Sequence, residues 1–262
     1  MYSSPCGYFS DRKSQMTVYS FPTETEVATL LSSVSKPGYD NKLPDNQTFQ
    51  QFFYSQMLEQ GFRRSNNIIY RNDCPQCKQC IPIRIDVTRF TPDKSQRHLL
   101  KKNSDITLTI TDTARAFITA EKQLLYRQYY KWHNPDTTCT NIQAEVELKM
   151  LNGLDETSQN PIYNGTINME YRLNGSLIGC GVIDLATNAL SSNYFYWDIS
   201  KPIQKRSIGT YSILKEIEFC QQNNRRWYYL GYYIAQCDAM KYKGNFKPHQ
   251  LCIDNIWQEV RA

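Results

Sequence analysis

The dipeptide Asn174-Gly175 constrains the fold of this chain more than any other feature of its sequence. It separates two strand-like runs, Thr166 to Leu173 and Leu177 to Asp184. Asn-Gly readily adopts the positive φ angles of a two-residue β-hairpin, so the two runs are predicted to pair as antiparallel strands. A third strand-like run, Asn193 to Asp198, follows them. The pattern therefore predicts a three-stranded meander.

Further helix and strand patterns flank this meander. An alternating strand at Ile106 to Thr111 precedes it, with helical patterns at Thr113 to Lys131 and Asn141 to Leu151. A helical pattern at Thr210 to Gln222 and a strand-like run at Trp227 to Tyr233 follow it. The order of these elements resembles that of the GCN5-related N-acetyltransferase fold, and it predicts an α+β domain of that kind.

The chain is predicted to divide into two domains. Residues 106–262 would form the GCN5-related N-acetyltransferase-like domain, and residues 1–105 a small, turn-rich N-terminal domain that contains a cysteine cluster. In the N-terminal region, Phe49 to Gln60 has helical spacing, while Ile68 to Arg71 and Ile81 to Val87 read as strands.

Composition narrows the class of protein. The net charge of +5 is compatible with a nucleic-acid partner without requiring one. The first ten residues lack a basic segment followed by an apolar run, and no stretch approaches the roughly 20 apolar residues of a membrane-spanning helix. We therefore expect a cytoplasmic protein, in which the nine cysteines do not form a disulfide framework.

Three of these cysteines, Cys74, Cys77 and Cys80, recur at every third position. This spacing is typical of three ligands of an iron–sulfur cluster, and it also suits three of the four thiolates of a zinc site. The alternative is a reduced loop of unligated thiols. The cysteines without ligand spacing are expected to be packing residues, and they are Cys139, Cys180, Cys220, Cys237 and Cys252.

The loop before the Thr210 helix contains half of a coenzyme A motif. That motif, R/Q-x-x-G-x-G/A, is matched by Arg206 and Gly209. Tyr211 stands where the last small residue of the motif lets the backbone approach phosphate closely. We therefore expect the fold without coenzyme A.

Four long stretches of the chain carry a family resemblance. They are Cys6 to Tyr8, Gly61 to Asp105, Ser207 to Phe219 and Tyr228 to Pro248. In these stretches the chain resembles the aminoacyl-tRNA–protein transferases of the arginyl-transferase type, and among them the bacterial aspartate/glutamate leucyltransferases. It departs from the eukaryotic members at Phe9, which replaces a cysteine, and at Asp73, which replaces the first of two adjacent cysteines.

The resemblance implies a reaction and its partners. An amino acid would pass from its tRNA to the N-terminal amine of a protein beginning with Asp or Glu, and the new N-terminal residue would mark that protein for degradation (an N-degron). Leucine is the favoured donor, with arginine as the alternative. Aminoacyl-tRNA is then the co-substrate, whereas DNA and membranes are not expected as partners. The N-terminal cysteine motif of the family makes Cys6 the fourth ligand of the zinc ion or iron–sulfur cluster.

Such a reaction needs few reactive groups. The donor is an activated ester, and on the order of a tenth of an α-amine is already neutral at pH 7. Holding the two reactants together can therefore supply much of the catalysis. The predicted catalytic residues are Asp198, which would orient the amine or the donor, and Tyr232, which would donate a hydrogen bond. A turn cap and a core tyrosine are the alternatives for these two residues.

Cations are needed for two further tasks. Reading an acidic side chain requires a fixed cation, and the candidates are Arg63, Arg64, Lys241 and Lys243. Binding tRNA requires basic groups spread over a surface and is helped by N–H groups at the start of a helix. The candidates for that task are Lys94, Arg97, Lys101, Lys102, Arg206, Ser207, Gly209 and Thr210. Each of these residues has a structural alternative, as a surface charge or a helix cap.

Two other functions share these features. A coenzyme A-dependent N-acetyltransferase would have the same fold, but it would favour a small residue at Tyr211. A noncatalytic module that binds tRNA or protein N-termini would keep the fold without the chemistry.

Overall fold

The computed structural model describes residues 2–23, 25, 26, 29, 46–157 and 161–260. These residues form helices and two β-sheets, one of four strands and one of eight. The α+β class predicted from the sequence is therefore confirmed. In the described ranges, none of the helices combines the length and the hydrophobicity that crossing a bilayer requires.

The smaller sheet is built from residues near the N-terminus. Its elements are β1 (Tyr2–Pro5), β2 (Lys13–Ser20), α1 (Asn46–Glu59), β3 (Arg63–Ser65) and β4 (Ile68–Asn72). The strands lie in the order β1-β2-β4-β3, and all neighbours are antiparallel. Tyr54 and Leu58 of α1 are fully buried in a core that also contains Phe21 and Ile69.

The larger sheet contains eight strands. They are β5 (Ile81–Asp86), β6 (Ile106–Thr111), β7 (Thr166–Leu173), β8 (Ser176–Ala186), β9 (Ala189–Trp197), β10 (Trp227–Tyr233), β11 (His249–Ile253) and β12 (Ile256–Glu259). Their order is β12-β11-β5-β10-β9-β8-β7-β6. Neighbouring strands are antiparallel except β9 and β10, which are parallel.

Helices cover both faces of the larger sheet. They are α2 (Lys94–Lys102), α3 (Ala114–Phe117), α4 (Ala120–His133), α5 (Asn141–Leu151), α6 (Lys201–Gln204), α7 (Ile208–Gln222) and α8 (Asp238–Lys241), which a 3₁₀ turn (Tyr242–Asn245) follows. In β8, Ile183 packs in the same core as Ile217 of α7. Its neighbour Val182 packs in a second core with Leu125 of α4 and Leu148 of α5.

The predicted hairpin and the predicted order of elements are both present. Asn174 and Gly175 have φ angles of 50° and 84°, and Leu173 lies opposite Ser176, as a two-residue turn with two positive φ angles requires. β6, the α4 and α5 helices, the β7–β9 meander, α7 and β10 then follow in the predicted sequence.

The structure corrects several details. The helix predicted from Thr113 to Lys131 is divided at Ile118, because the side chain of Thr119 accepts a hydrogen bond from the backbone N–H of Lys122 and starts α4. Five strands were not predicted from the sequence, and α2 was interpreted only as a basic segment. These strands are β1, β2, β3, β11 and β12.

Strand β5 joins the two parts of the chain. It comes from the N-terminal region, but it pairs with β10 on one side and β11 on the other. The two predicted domains, 1–105 and 106–262, therefore contribute strands to the same sheet.

Candidate active site

The parallel strands β9 and β10 separate soon after they meet. They pair only where Trp227 to Tyr229 lie beside Ala189 to Ser191. Beyond these residues β9 continues to Trp197 and β10 continues to Tyr233 without pairing to each other. We call the space between the separating strands the β9–β10 gap. Backbone groups that a continuous sheet would pair are free there for other partners.

Two cations occupy the edges of the β9–β10 gap. A terminal nitrogen of Arg63, Nη2, donates to the carbonyl of Ser192 on β9. The Nζ of Lys243 donates to the carbonyl of Tyr232 on β10 at 3.0 Å. Arg63 and Lys243 are only 5% and 8% exposed, and in the described part of the chain neither forms a salt bridge with a carboxylate. Since buried charges are normally paired, this arrangement is a candidate site for an anion.

The space between these cations lies beside Gly231. A Cβ atom at this position would have Lys243 Nζ at 3.2 Å and Arg63 Nη2 at 3.8 Å as its nearest neighbours. Because residue 231 is glycine with a φ of 93°, this space stays free of its own side chain. The second terminal nitrogen of Arg63, Nη1, is buried without a hydrogen-bond partner among the described residues. A carboxylate placed here would contact both cations.

Burial and mutual repulsion weaken the positive charge of Lys243. Burial and, to a smaller extent, the nearby charge of Arg63 lower the pKa of its amine to about 7, while Cys237 acts in the opposite direction. A substantial fraction of this side chain is therefore neutral near physiological pH.

Another buried residue whose charge interacts with Arg63 is an acid, Glu216 of α7. It is 1% exposed and accepts a hydrogen bond of 2.6 Å from the hydroxyl of Tyr228. Burial raises the pKa of Glu216 to about 7, while hydrogen bonds from Tyr228 and Ser192 and the charge of Arg63 act against this rise. The charge of Arg63 thus favours the ionised form of Glu216 and the neutral form of Lys243.

The other two predicted acid readers lie elsewhere. Arg64 is fully buried, and its Nε and Nη2 atoms donate to the two carboxylate oxygens of Asp184 at 2.8 and 2.7 Å. Its guanidinium also donates to the carbonyls of Asn66 and Leu151. Lys241 is exposed and forms an ion pair with its helix neighbour Asp238 at 2.6 Å. The structure therefore brings together Arg63 and Lys243, but not Arg64 and Lys241.

The predicted catalytic residues also have structural partners. Asp198 follows β9 and accepts a hydrogen bond of 2.8 Å from the backbone N–H of Ser200, as a carboxylate that caps a turn does. The hydroxyl of Tyr232 accepts from the backbone N–H of Asn72 at 3.1 Å, and its ring packs on Tyr70. Both residues thus match the structural alternatives considered for them, and their catalytic roles stay predictions.

The residues predicted to bind tRNA come together from two distant segments. Lys94, Arg97, Lys101 and Lys102 are all exposed on α2. Lys102 Nζ donates to the carbonyl of Lys205 at 2.6 Å. Arg206, next to Lys205, forms a bidentate ion pair with Asp105. We call this set of side chains the α2–α6 basic surface, and it consists of Lys94, Arg97, Lys101, Lys102, Lys205 and Arg206.

The start of α7 borders this surface. Ser207 is exposed with a φ of 52°, and a Cβ atom at Gly209 would have no neighbour within 4 Å, so the space before the first turn is open. Thr210 follows in the first turn. The argument from Tyr211 is wrong, because its side chain is 4% exposed and packs in the core with Tyr171. The absence of coenzyme A stays a prediction.

The four predicted metal ligands line one cavity. Cys6, Cys74, Cys77 and Cys80 all contribute to its wall, which encloses about 710 Å³. Burial raises the pKa of the Cys80 thiol to about 11, and the other three cysteines raise it further.

Nitrogen donors already point at two of these sulfurs. The backbone N–H of Gln15 donates to Cys74 Sγ, and Arg12 Nη1 donates to Cys77 Sγ, each at 3.3 Å. Across the described ranges, however, no three His, Cys, Asp or Glu side chains are grouped closely enough to hold a metal ion.

Sequence reasoning missed two residues of the β9–β10 gap. The sequence pattern could have indicated Glu216. It lies on the apolar stripe of α7, which Ile213, Ile217 and Cys220 form at helical spacing. An acid on such a stripe is an unusual buried charge. Gly231 inside a strand was the second signal, because it marks a bulge or a close approach. The register of β10 against β5 indeed shifts between Tyr229 and Gly231.

Two family models match the chain. The model described as "Arginine-tRNA-protein transferase, C terminus" matches residues 121–253, and the one described as "Arginine-tRNA-protein transferase, N terminus" matches residues 4–98. The chain belongs to this family. The predicted family and the predicted enzyme class, an aminoacyl-tRNA–protein transferase, are thereby confirmed.

Curated relatives cover nearly the same length. A protein of Saccharophagus degradans named "Aspartate/glutamate leucyltransferase" is 38% identical over 79% of this chain and 83% of its own length. A protein of Pseudoalteromonas atlantica with the same name is 31% identical over 98% of this chain and 95% of its own length.

Solved structures are more distant. The C-terminal domain of a lysylphosphatidylglycerol synthetase from Agrobacterium fabrum matches with a TM-score of 0.42 and 12% identity, over 60% of this chain and 47% of that chain. A GCN5-related glucosamine N-acetyltransferase region of a fungal multi-domain β-N-acetylglucosaminidase matches with a TM-score of 0.39 and 10% identity, over 86% of this chain and 24% of that chain.

Proposed function

We propose that the protein transfers leucine from Leu-tRNA to the N-terminal amine of proteins beginning with Asp or Glu, and so creates an N-degron. The Saccharophagus and Pseudoalteromonas relatives, both named for this activity, support leucine over arginine as the donor. The observation that carries the proposal is the pair of buried cations beside Gly231, neither of which forms an ion pair with a carboxylate among the described residues. We place the reaction in the cytoplasm, where charged tRNA is found.

Arg63 and Lys243 are the proposed readers of the acidic side chain. A carboxylate beside Gly231 would pair with Arg63 and, when Lys243 is protonated, accept a hydrogen bond from its ammonium group, since both nitrogens lie near that space. Asn or Gln at the same place would leave a buried cation without a counter-charge. Losing a charge-assisted hydrogen bond costs about 1.5–3 kcal/mol, which corresponds to roughly 10- to 150-fold in kcat/KM.

The α2–α6 basic surface is the proposed contact for tRNA. Its exposed lysines and arginines suit phosphate groups, and the open first turn of α7 suits a phosphate or a ribose of the 3′ end. α7 connects this surface to the acceptor site, since Ser207 precedes the helix and Glu216 lies in the β9–β10 gap. At 1.5 Å per helical residue these two points are about 13 Å apart along the axis. That distance is short enough for the 3′ end of a tRNA to reach the acceptor amine.

Cys6, Cys74, Cys77 and Cys80 are proposed to hold one zinc ion or iron–sulfur cluster. Two observations support this proposal: all four thiols line one cavity, and N–H groups directed at sulfur stabilise thiolates. The four sulfurs would have to move closer together to share one ion or cluster. The bound group would cross-link the N-terminal segment to the connection between β4 and β5. Aminoacyl transfer needs no electron transfer or Lewis acid, so we assign it a structural or regulatory role.

Transfer assays that vary the donor tRNA and the first residue of the acceptor peptide test the proposal. Purified protein would be given Leu-tRNA or Arg-tRNA with peptides that begin with Asp or Asn and are otherwise identical. We expect leucine transfer to the Asp peptide, with kcat/KM at least 10-fold above that for the Asn peptide. Acetyl transfer from acetyl-coenzyme A without tRNA, or binding without turnover of either donor, would instead support one of the alternative functions.

Two variants test whether Arg63 binds the acidic side chain of the acceptor. Arg63→Met should compress the ratio of kcat/KM between the Asp and Asn peptides, because both peptides then lack the arginine partner. The matched control is Arg97→Met on the exposed α2 helix, which should lower both values equally and leave the ratio unchanged. An unchanged ratio in Arg63→Met would show that the acid is read elsewhere.

A further inference from the structure

The lowered pKa of Lys243 is not needed for binding a carboxylate. A residue that only supplies positive charge works best with a pKa far above 7, as arginine has. Here a buried lysine is placed next to a buried arginine, and in the described ranges it forms no ion pair with a carboxylate. The charged and titratable groups that face Lys243 are Arg63 from β3 and Cys237 from the segment before α8.

The contacts of Nζ leave one position open. Nζ donates to the carbonyl of Tyr232 at 3.0 Å and approaches Met240 Sδ at 3.5 Å. A neutral amine has two hydrogens and one lone pair, and these two contacts account for both hydrogens. The space beside Gly231, whose Cβ position lies 3.2 Å from Nζ, remains for the lone pair. Gly231 itself is partly exposed to solvent.

We propose that Lys243 is the base that removes the proton from the α-ammonium group of the acceptor. The inference rests on the proposed function, since it needs the acceptor carboxylate beside Gly231. In aspartate the α-nitrogen and the side-chain carboxylate are close together, so a carboxylate between Arg63 and Lys243 would bring the α-nitrogen near Nζ.

The proton and electron pairs balance in two steps. Lys243 Nζ first takes one proton from the α-ammonium and becomes an ammonium ion. The freed amine then attacks the ester carbonyl, a C–N bond forms, and the bond from the carbonyl carbon to the ribose 3′ oxygen breaks. The second amine proton goes to the departing 3′ oxygen, and Lys243 returns its proton to solvent after the product leaves.

This arrangement couples acceptor choice to acceptor activation. An acidic side chain neutralises Arg63, which removes the repulsion that lowers the proton affinity of Lys243. An amide side chain leaves that repulsion in place. An acidic acceptor therefore makes Lys243 a stronger base at the moment the proton must be removed.

A direct test uses the wild-type protein and a peptide that cannot react. A succinyl peptide has the side-chain carboxylate of an Asp peptide but no α-amine, and the matching succinamyl peptide has an amide instead. Calorimetry of their binding at pH 8, in two buffers of different ionisation enthalpy, measures the protons taken up. We expect uptake approaching one proton for the succinyl peptide and none for the succinamyl peptide.

The Lys243→Arg variant gives the second measurement. Arginine keeps the positive charge but does not release its proton, so proton uptake should vanish while the succinyl peptide still binds better than the amide. Leucine transfer to the Asp peptide at pH 7 should fall on the order of 100-fold. It should recover toward the wild-type rate at pH 9, where the peptide amine is already neutral.

The results distinguish a failure of the proposed role of Lys243 from a failure of the proposed carboxylate site. If the succinyl peptide binds wild-type protein better than the amide but without proton uptake, Lys243 is not the base and the proposed function stands. If the two peptides bind equally, the carboxylate does not lie between Arg63 and Lys243, and the proposed acid reader is wrong as well.

Discussion

Arg63 and Arg64 are consecutive residues with opposite surroundings. Successive side chains in a strand point to opposite faces, so on β3 the two guanidiniums enter different environments. Arg64 meets Asp184 and backbone carbonyls, which use its hydrogen bonds fully. Arg63 donates to a backbone carbonyl, and one of its nitrogens is left without a partner in the described part of the chain. We therefore assign Arg64 to stability and Arg63 to function.

The Arg64–Asp184 pair should be important for stability. Replacing Arg64 by Met leaves the fully buried carboxylate of Asp184 without its partner, which typically costs about 3–5 kcal/mol in the free energy of unfolding. The matched control is Arg89→Met, which breaks an exposed ion pair with Glu259 and should cost less than about 1 kcal/mol. Urea unfolding of both variants measures the difference. Equal losses would mean that the buried pair contributes no more than a surface pair.

At the scale of the elements, the connection between β4 and β5 is held by contacts to its cysteine side chains. It holds Cys74, Cys77 and Cys80, and it lies against the segment between β1 and β2. Arg12 and Gln15 from that side donate to two of its sulfurs. These contacts fix the connection without a regular secondary structure of its own. A metal ion or cluster would replace them with bonds that are far stronger.

The content of bound metal tests this element. Protein purified without oxygen should contain zinc, or iron with acid-labile sulfide, and Cys77→Ser should lower that content because serine is a poor ligand for either. Cys139→Ser, at a cysteine outside the cavity, should leave the metal content unchanged. Metal analysis combined with thiol titration gives the answer. Wild-type protein without metal, in which all four thiols react freely, would contradict the proposed site.

At the scale of the whole molecule, local signals predicted the fold better than the site. The Asn174-Gly175 turn and the strand-like runs around it depend on neighbouring residues, so the meander could be predicted from sequence. The contact of Arg63 and Lys243 around Gly231 depends on β5 lying between β10 and β11, a long-range pairing with no local signal. Both cations were among the candidates predicted from the sequence, but no sequence feature distinguished them from Arg64 and Lys241.

The joining of α2 to the loop before α7 is another long-range contact with a testable consequence. If the α2–α6 basic surface binds tRNA, raising the salt concentration should weaken binding of Leu-tRNA, with a log–log slope set by the number of phosphates contacted. Lys101→Gln removes one such contact and should reduce that slope by about 1 while leaving the Asp-to-Asn preference unchanged. Lys13→Gln, an exposed lysine on the smaller sheet, serves as the control and should have no effect on the slope. Binding titrations at several salt concentrations measure all three proteins. If neither Lys101→Gln nor Lys13→Gln changed the slope, the tRNA phosphates would bind a surface other than the α2–α6 basic surface.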